Sequence, residues 1–168
     1  MPYICWNAAA PTTAAMVKVT TGTVIKTMLQ LATPSTRMIR VLSWGYSLDA
    51  VPSSAGIVEL VQTDVAATVT AHAASGVQQL DPNAPNSLLT LGTSATGYTA
   101  TVEGSTTATR TFDTNLIPPT AGASDLNYDM QFLPEEQPLI PISKFLRVRV
   151  TFGGAVNMLT YITFTEVG

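Results

Sequence analysis

The sequence predicts an all-β protein, an antiparallel β-sandwich of jelly-roll-like form carrying an extended N-terminal arm. Three observations predict it. Short runs alternate apolar with polar residues, clusters of Pro, Gly and Ser separate those runs, and no stretch sustains the period of an amphipathic helix.

Residues 1–22 read as the arm. Pro2, Pro11 and the run Ala8-Ala9-Ala10 interrupt any period, while Tyr3, Ile4 and Trp6 are large apolar groups that must dock on something. Two destinations are open to them, their own domain or a neighbouring subunit. Residues 23–168 then form a single sandwich domain. Thr23 to Leu31 alternates, with Ile25, Thr27, Leu29 and Leu31 on one side and Lys26 and Gln30 opposite. Met38 to Leu48 is a second run, in which Leu42, Trp44, Tyr46 and Leu48 share a face, and Ile57 to Thr63 is a third. Thr33-Pro34-Ser35 and Pro52-Ser53-Ser54-Ala55-Gly56 punctuate them.

Val65 to Val77 is rich in Ala and Thr and reads as a strand, or as a strand running into one helical turn near Ala71 to Ser75. Residues 80–105 form a long, punctuated excursion, with short strands expected at Leu88 to Leu91 and around Tyr98 to Val102. Loops of that length are uncommon inside a compact domain and often carry function. Strand character returns at Thr106 to Phe112 and at Leu126 to Phe132. Lys144 to Phe152 puts Leu146, Val148, Val150 and Phe152 on one face and Arg147, Arg149 and Thr151 on the other. Gly153-Gly154 and Met158 to Glu166 follow, so a terminal β-hairpin is expected there. Eight or nine short strands without a helix point to two packed sheets, with a jelly roll as the leading topology.

A chain of 168 residues is long enough to bury roughly 70% of its unfolded surface without metals or disulfides. Charged residues make up 11% of it, against about 25% in an average domain, and Thr is the commonest polar residue. So little charge leaves either a surface dressed in hydroxyls or a surface covered by an assembly. The net charge of −3 and scattered Lys and Arg argue against nucleic acid as a partner. Val24 to Leu31 is broken by Lys26 and Gln30 and falls far short of the ~20 apolar residues of a spanning helix, so no membrane role is expected. The N-terminus has neither a basic nor an apolar signal region, and no Asn-x-Ser/Thr sequon occurs. Cys5 is the only cysteine, which rules out an internal disulfide and suggests a small apolar contact.

Catalytic chemistry finds few residues to use. His72 is the only histidine, so any nucleophilic triad or cupin-type metal site would need it, and its neighbours are small and uncharged. Phosphate-cradling and nucleophile-elbow motifs are absent. Asp125, Asn127, Asp129 and Glu136 share the spacing of a calcium loop, but Met130 stands where that loop needs Gly and Pro134 interrupts it. Glu135 and Glu136 lie in a short segment between Pro134 and Pro138, where a solvated turn is expected in place of an acid pair. No catalytic residue, metal or cofactor is therefore expected, and the chain is read as a non-enzymatic structural protein that works by contact. Tyr3, Ile4, Trp6, Arg147 and Arg149 are the candidate interface residues. The two arginines either clamp an acidic partner or pair within their own fold. A carbohydrate- or receptor-binding sandwich of a tail or fibre is the alternative, with Trp44 and Tyr46 stacking on sugar rings unless they are core.

The C-terminal third carries a resemblance. Phe132-Leu133-Pro134-Glu135-Glu136-Gln137-Pro138-Leu139-Ile140, Lys144 to Val150 and Asn157-Met158-Leu159 resemble small jelly-roll head proteins of tailed bacteriophages infecting actinobacteria. Ser43-Trp44-Gly45-Tyr46-Ser47 and Leu60-Val61-Gln62-Thr63-Asp64 are similar to the same group, and the likeness spans residues 37–166. The resemblance implies a decoration, or cement, subunit on the capsid exterior. Its partners would be the major capsid protein and copies of itself, with no nucleic acid and no membrane. It would be made in the host cytoplasm and carried on the virion.

Overall fold

Alternating apolar residues close into two antiparallel sheets packed face to face as a sandwich. The computed structural model describes residues 1–105 and 107–168, with the main chain alone at residue 123. Thr106, the expected start of a strand, lies outside the described residues. In chain order the first strands are β1 (Pro2–Trp6), β2 (Val19–Thr20), β3 (Lys26–Ala32), β4 (Met38–Leu48), β5 (Gly56–Thr63) and β6 (Thr68–Ala71). They continue with β7 (Val77–Gln79), β8 (Gly97–Val102), β9 (Ala108–Ile117), β10 (Asn127–Gln131), β11 (Leu139–Ile140), β12 (Phe145–Phe152) and β13 (Asn157–Val167). Two single-turn helices, Ala74–Gly76 and Ala123–Leu126, lead into β7 and β10. Leu88 to Leu91 is not a strand; Leu91 makes only an isolated bridge to Thr96.

The first sheet has the order β10-β4-β13-β1-β7, with β11 beside β4 and β2 beside β13. The second has the order β6-β8-β3-β12-β5-β9. Between them lie Trp44, Phe152, Phe164, Met28, Leu60, Leu146 and Ile162, all essentially without solvent contact. Leu146, Val148, Val150 and Phe152 are the inward face of β12, as their alternation predicts.

Two bulges break the expected faces elsewhere. On β3, Val148 pairs with Leu29 but Arg149 pairs with Thr27, so Met28 is the extra residue. The bulge turns Thr27 away from Leu29 and Leu31, with which it was expected to share a face. On β4, Thr163 pairs with Ser43 and Phe164 with Val41, which leaves Leu42 as the extra residue. Trp44, Tyr46 and Leu48 therefore continue the inward row of Ile39 and Val41, while Leu42 is only half-buried.

The expected terminal hairpin does not form. β12 pairs with β3 and β5, whereas β13 pairs with β4, β1 and β2, so Gly153-Gly154 carries the chain from one sheet to the other. β12 turns Leu146, Val148, Val150 and Phe152 inward and β13 turns Met158, Ile162 and Phe164 inward, so the two strands face each other across the core from opposite sheets. The glycines fit because this crossover runs against the β4–β5 turn, where an added Cβ would strike Ser54 or Ser53.

Residues 64–67 fold over the outside of the second sheet. The buried Gln30 amide donates to Ala95 O at 2.6 Å and accepts from Ala67 N at 2.9 Å, and Ala67, Val69 and Ala100 form a small second cluster beneath. A buried amide with both ends satisfied by main chain holds that cover in one place.

Candidate interaction surface

The expected arm is in part a strand. β1 lies between β13 and β7, pairing Tyr3 with Phe164 and Gln79 and Cys5 with Ile162 and Val77. Alternation then divides its residues. Tyr3 and Cys5 point inward; the Tyr3 ring stacks on Phe164 at 5.5 Å and its hydroxyl donates to Pro85 O at 3.1 Å. Tyr3 is thus core, and the candidate role in an interface does not fit it. Where β1 ends, the buried Asn7 continues the ladder: its side chain donates to Met158 O and accepts from Thr160 N. Most of residues 9–18 beyond it are exposed.

Ile4 and Trp6 point outward and stay half-buried. The Trp6 ring leans on Tyr161 at 5.1 Å, and Tyr161 reaches across Gly45 to donate to Asp129 Oδ1. Gly45 makes this crossing possible, because an added Cβ would lie 2.6 Å from Tyr128 O and 2.9 Å from the Tyr161 ring. Burial, together with the hydrogen bond to Asp129, pushes the Tyr161 phenol up to about 12, so it remains a neutral donor. Ile4, Trp6, Tyr161 and Asp129 thus form one fixed patch on the outside of the first sheet. Tyr161, Gly45 and Asp129 lie far apart in the sequence, and only cross-strand register brings them together.

Arg147 and Arg149 are both paired within the fold. Arg147 is fully enclosed, meets Glu103 at 3.3 Å and donates to Thr27 Oγ1 and Val65 O. Glu103 also accepts from Thr27 N and Thr27 Oγ1. Arg149 is paired with Glu59 through two nitrogens, at 2.9 Å and 2.7 Å. The two-residue spacing did place the arginines on one face, but the cover over that face comes from residues 64–67 and Glu103.

The other candidate groups take structural places. Trp44 and Tyr46 are core; the Tyr46 ring stacks on Tyr128, the Trp44 ring is tilted against it, and Trp44 Nε1 donates to Asp113. A sugar platform built on the Trp44 ring is therefore closed off. Glu135 and Glu136 lie in an exposed turn, as expected. Asp125 Oδ2 caps Gly122 N, and the described residues hold no group of three or more His, Cys, Asp or Glu placed for a metal. Among the described residues no helix is long and apolar enough to cross a membrane. Cys5 is enclosed, and burial raises its thiol well above the ordinary range.

His72 does meet β1, through main chain. Its Nε2 lies 2.8 Å from Trp6 O and its ring leans on Tyr98 at 4.7 Å. Burial lowers its pKa below the ordinary 6.5, more than the Trp6 carbonyl raises it. The fold therefore prefers the neutral ring, and the unfolded chain binds more protons as pH drops through 6.5. Stability from this group is complete above that pH and is lost below it. Thermal melts at pH 7.5 and pH 5.5 should show wild type losing more stability than His72→Gln, which keeps a donor for Trp6 O but cannot titrate.

Exposed apolar side chains gather at both ends of the sandwich. One end holds Val17, Val24, Ile25, Val51 and Leu116, around turns tied together by Lys18–Asp49 and Asn157–Asp49 contacts. The opposite end holds Met1, Leu88, Leu91 and Ile142, where Leu88 N donates to Glu166 and Thr33 Oγ1 donates to Pro141 O. No family model, curated protein or solved structure matches the chain.

Proposed function

We propose that this chain is a structural virion protein, a decoration or cement subunit that binds the outside of a tailed-phage head and bridges neighbouring capsomers. The observation that carries the reading is the placement of uncovered apolar side chains at both ends of a rigid sandwich with few charges. A bridging subunit needs two separate contact regions on one stiff body, and apolar surface without charged cover is what association buries. Two modest contacts made together hold far more tightly than either alone. The major capsid protein and further copies of this chain are the partners this reading expects.

The strand pairing supports a jelly-roll reading of the sandwich. β1 pairs with β13, β3 with β12, β4 with β10 and β5 with β9, so the early strands meet the late ones in nested order. Those eight strands fall into two sheets, β1-β13-β4-β10 and β3-β12-β5-β9, as a rolled ribbon would. The resemblance of residues 37–166 to phage head proteins points the same way. Quantitative protein analysis of purified mature particles tests the proposal. The chain should be present at a copy number comparable to the capsomers, and its absence would refute the reading.

A further inference from the structure

We propose that His72 is a proton-operated latch on the segment that follows β1, closed over the neutral ring and released when the ring takes up a second proton. His72 stands just past β6 and is 4% exposed. Its Nε2 lies 2.8 Å from Trp6 O, which can only accept, so Nε2 carries the proton of the neutral ring and Nδ1 holds a lone pair. Nδ1 rests against Gly76, where an added Cβ would strike it, and has no hydrogen-bond partner among the described residues.

The ring borders a hollow of ≈ 320 Å³ whose other wall is Ala9 to Thr12. Tyr98 meets the ring from β8, Trp6 O from the end of β1, and Ser75 and Gly76 from the single-turn helix. None of these groups is charged, and Tyr98 is the only other one that titrates. A second proton therefore puts a cation and a new donor among small, mostly apolar side chains. The hydroxyls of Thr12 and Ser75 border the same hollow but make no hydrogen bond to the ring.

Water must reach the charged ring, and the segment across the hollow is the part of its surroundings held least. Among the described residues no main-chain hydrogen bond ties residues 9–17 to the body. The two ends of that segment stay fixed in acid. At the near end a proton strengthens the bond from Nε2 to Trp6 O, and Asn7 keeps both contacts to β13, so β1 remains seated. At the far end hydrogen bonds from Lys18 and Asn157 hold the Asp49 carboxyl well below the usual range, so the Lys18–Asp49 pair keeps its charge. The closed form favours the neutral ring because burial lowers its pKa below 6.5, whereas the lifted form returns the ring to water. Lifting is therefore favoured as pH falls through 6.5, by up to about tenfold at pH 5.5.

Proteolysis of the whole chain reads the lifted population, because a protease cuts a segment in proportion to how often it opens. Proteinase K cleavage within residues 9–17 is followed by mass spectrometry at pH 7.5 and pH 5.5. Each rate is divided by that of a synthetic peptide of residues 7–19 at the same pH, which removes the pH dependence of the protease. The ratio should rise about threefold to tenfold at pH 5.5 in wild type, with the first cuts confined to that segment. His72→Gln keeps a donor for Trp6 O but cannot titrate, and its ratio should stay flat. An NMR titration of the His72 ring should give a midpoint below 6.5. A flat ratio in wild type would overturn the proposal, as would an equal rise in His72→Gln or a ring midpoint at or above 6.5. If the variant does not fold, the wild-type ratio and the ring titration decide between them. The latch does not rest on the virion reading, and its failure leaves that reading untouched.

Discussion

Arg147→Ala is expected to cost about 3–5 kcal/mol in urea unfolding, among the largest losses a single substitution can cause here. The guanidinium is fully enclosed, and burial lowers its pKa to about 10 even though Glu103 opposes that shift. Removing it takes the guanidinium away from the Glu103 carboxylate and the Thr27 side chain, and leaves Val65 O without that donor. The cover formed by residues 64–67 should then loosen, because it loses one of the side chains that tie it to the second sheet and keeps Gln30 and Thr63. Arg147→Met restores volume but not charge, and should remain destabilised. Adding Glu103→Gln to Arg147→Met removes the carboxylate charge that faced the guanidinium while keeping an acceptor for Thr27 N, and should recover part of the loss. A cost below about 1 kcal/mol for Arg147→Ala would place this arginine among ordinary surface pairs and contradict the description of the cover.

Trp44→Ala should cost a similar amount, about 3–5 kcal/mol, for a different reason. The ring is fully buried and fills the space beside Tyr46 and Tyr128, at 5.9 Å and 5.5 Å, so its loss leaves a large cavity. Its Nε1 also donates to Asp113 Oδ2, which joins β4 of the first sheet to β9 of the second. Trp44→Phe keeps part of the volume and loses that bond, so roughly 1–2 kcal/mol is expected. Equal costs for the two variants would mean that the hydrogen bond, not the packing, dominates at this position.

Much of the fold is legible in the sequence because alternation is a local property. Lys144 to Phe152 and Met38 to Leu48 show it plainly, and both become long strands with close to the expected bounds. What escapes is decided by partners distant in the chain. The bulges at Met28 and Leu42 exist only in register with β12 and β13, so the inward rows of β3 and β4 shift without any local mark. Two glycines between apolar strands look alike whether they turn a hairpin or cross between sheets. Pro2–Trp6 is too short to show a period, and it is a strand because β13 and β7 flank it. The candidate surface was legible to a smaller degree. Ile4 and Trp6 could be singled out as large apolar groups near an end of the chain, but their neighbour Tyr161 could not. Arg147 and Arg149 carried the right spacing, while their acidic partners lie on β5 and beside β8.

The proposed role requires that this sandwich sit on a shell. A low-resolution image of the phage particle with and without the chain tests it directly. Discrete density of about 18 kDa per copy is expected on the outer surface at contacts between capsomers, lost when the chain is absent (its mass is 17.7 kDa). Identical heads in the two images, or density confined to the tail, would contradict it.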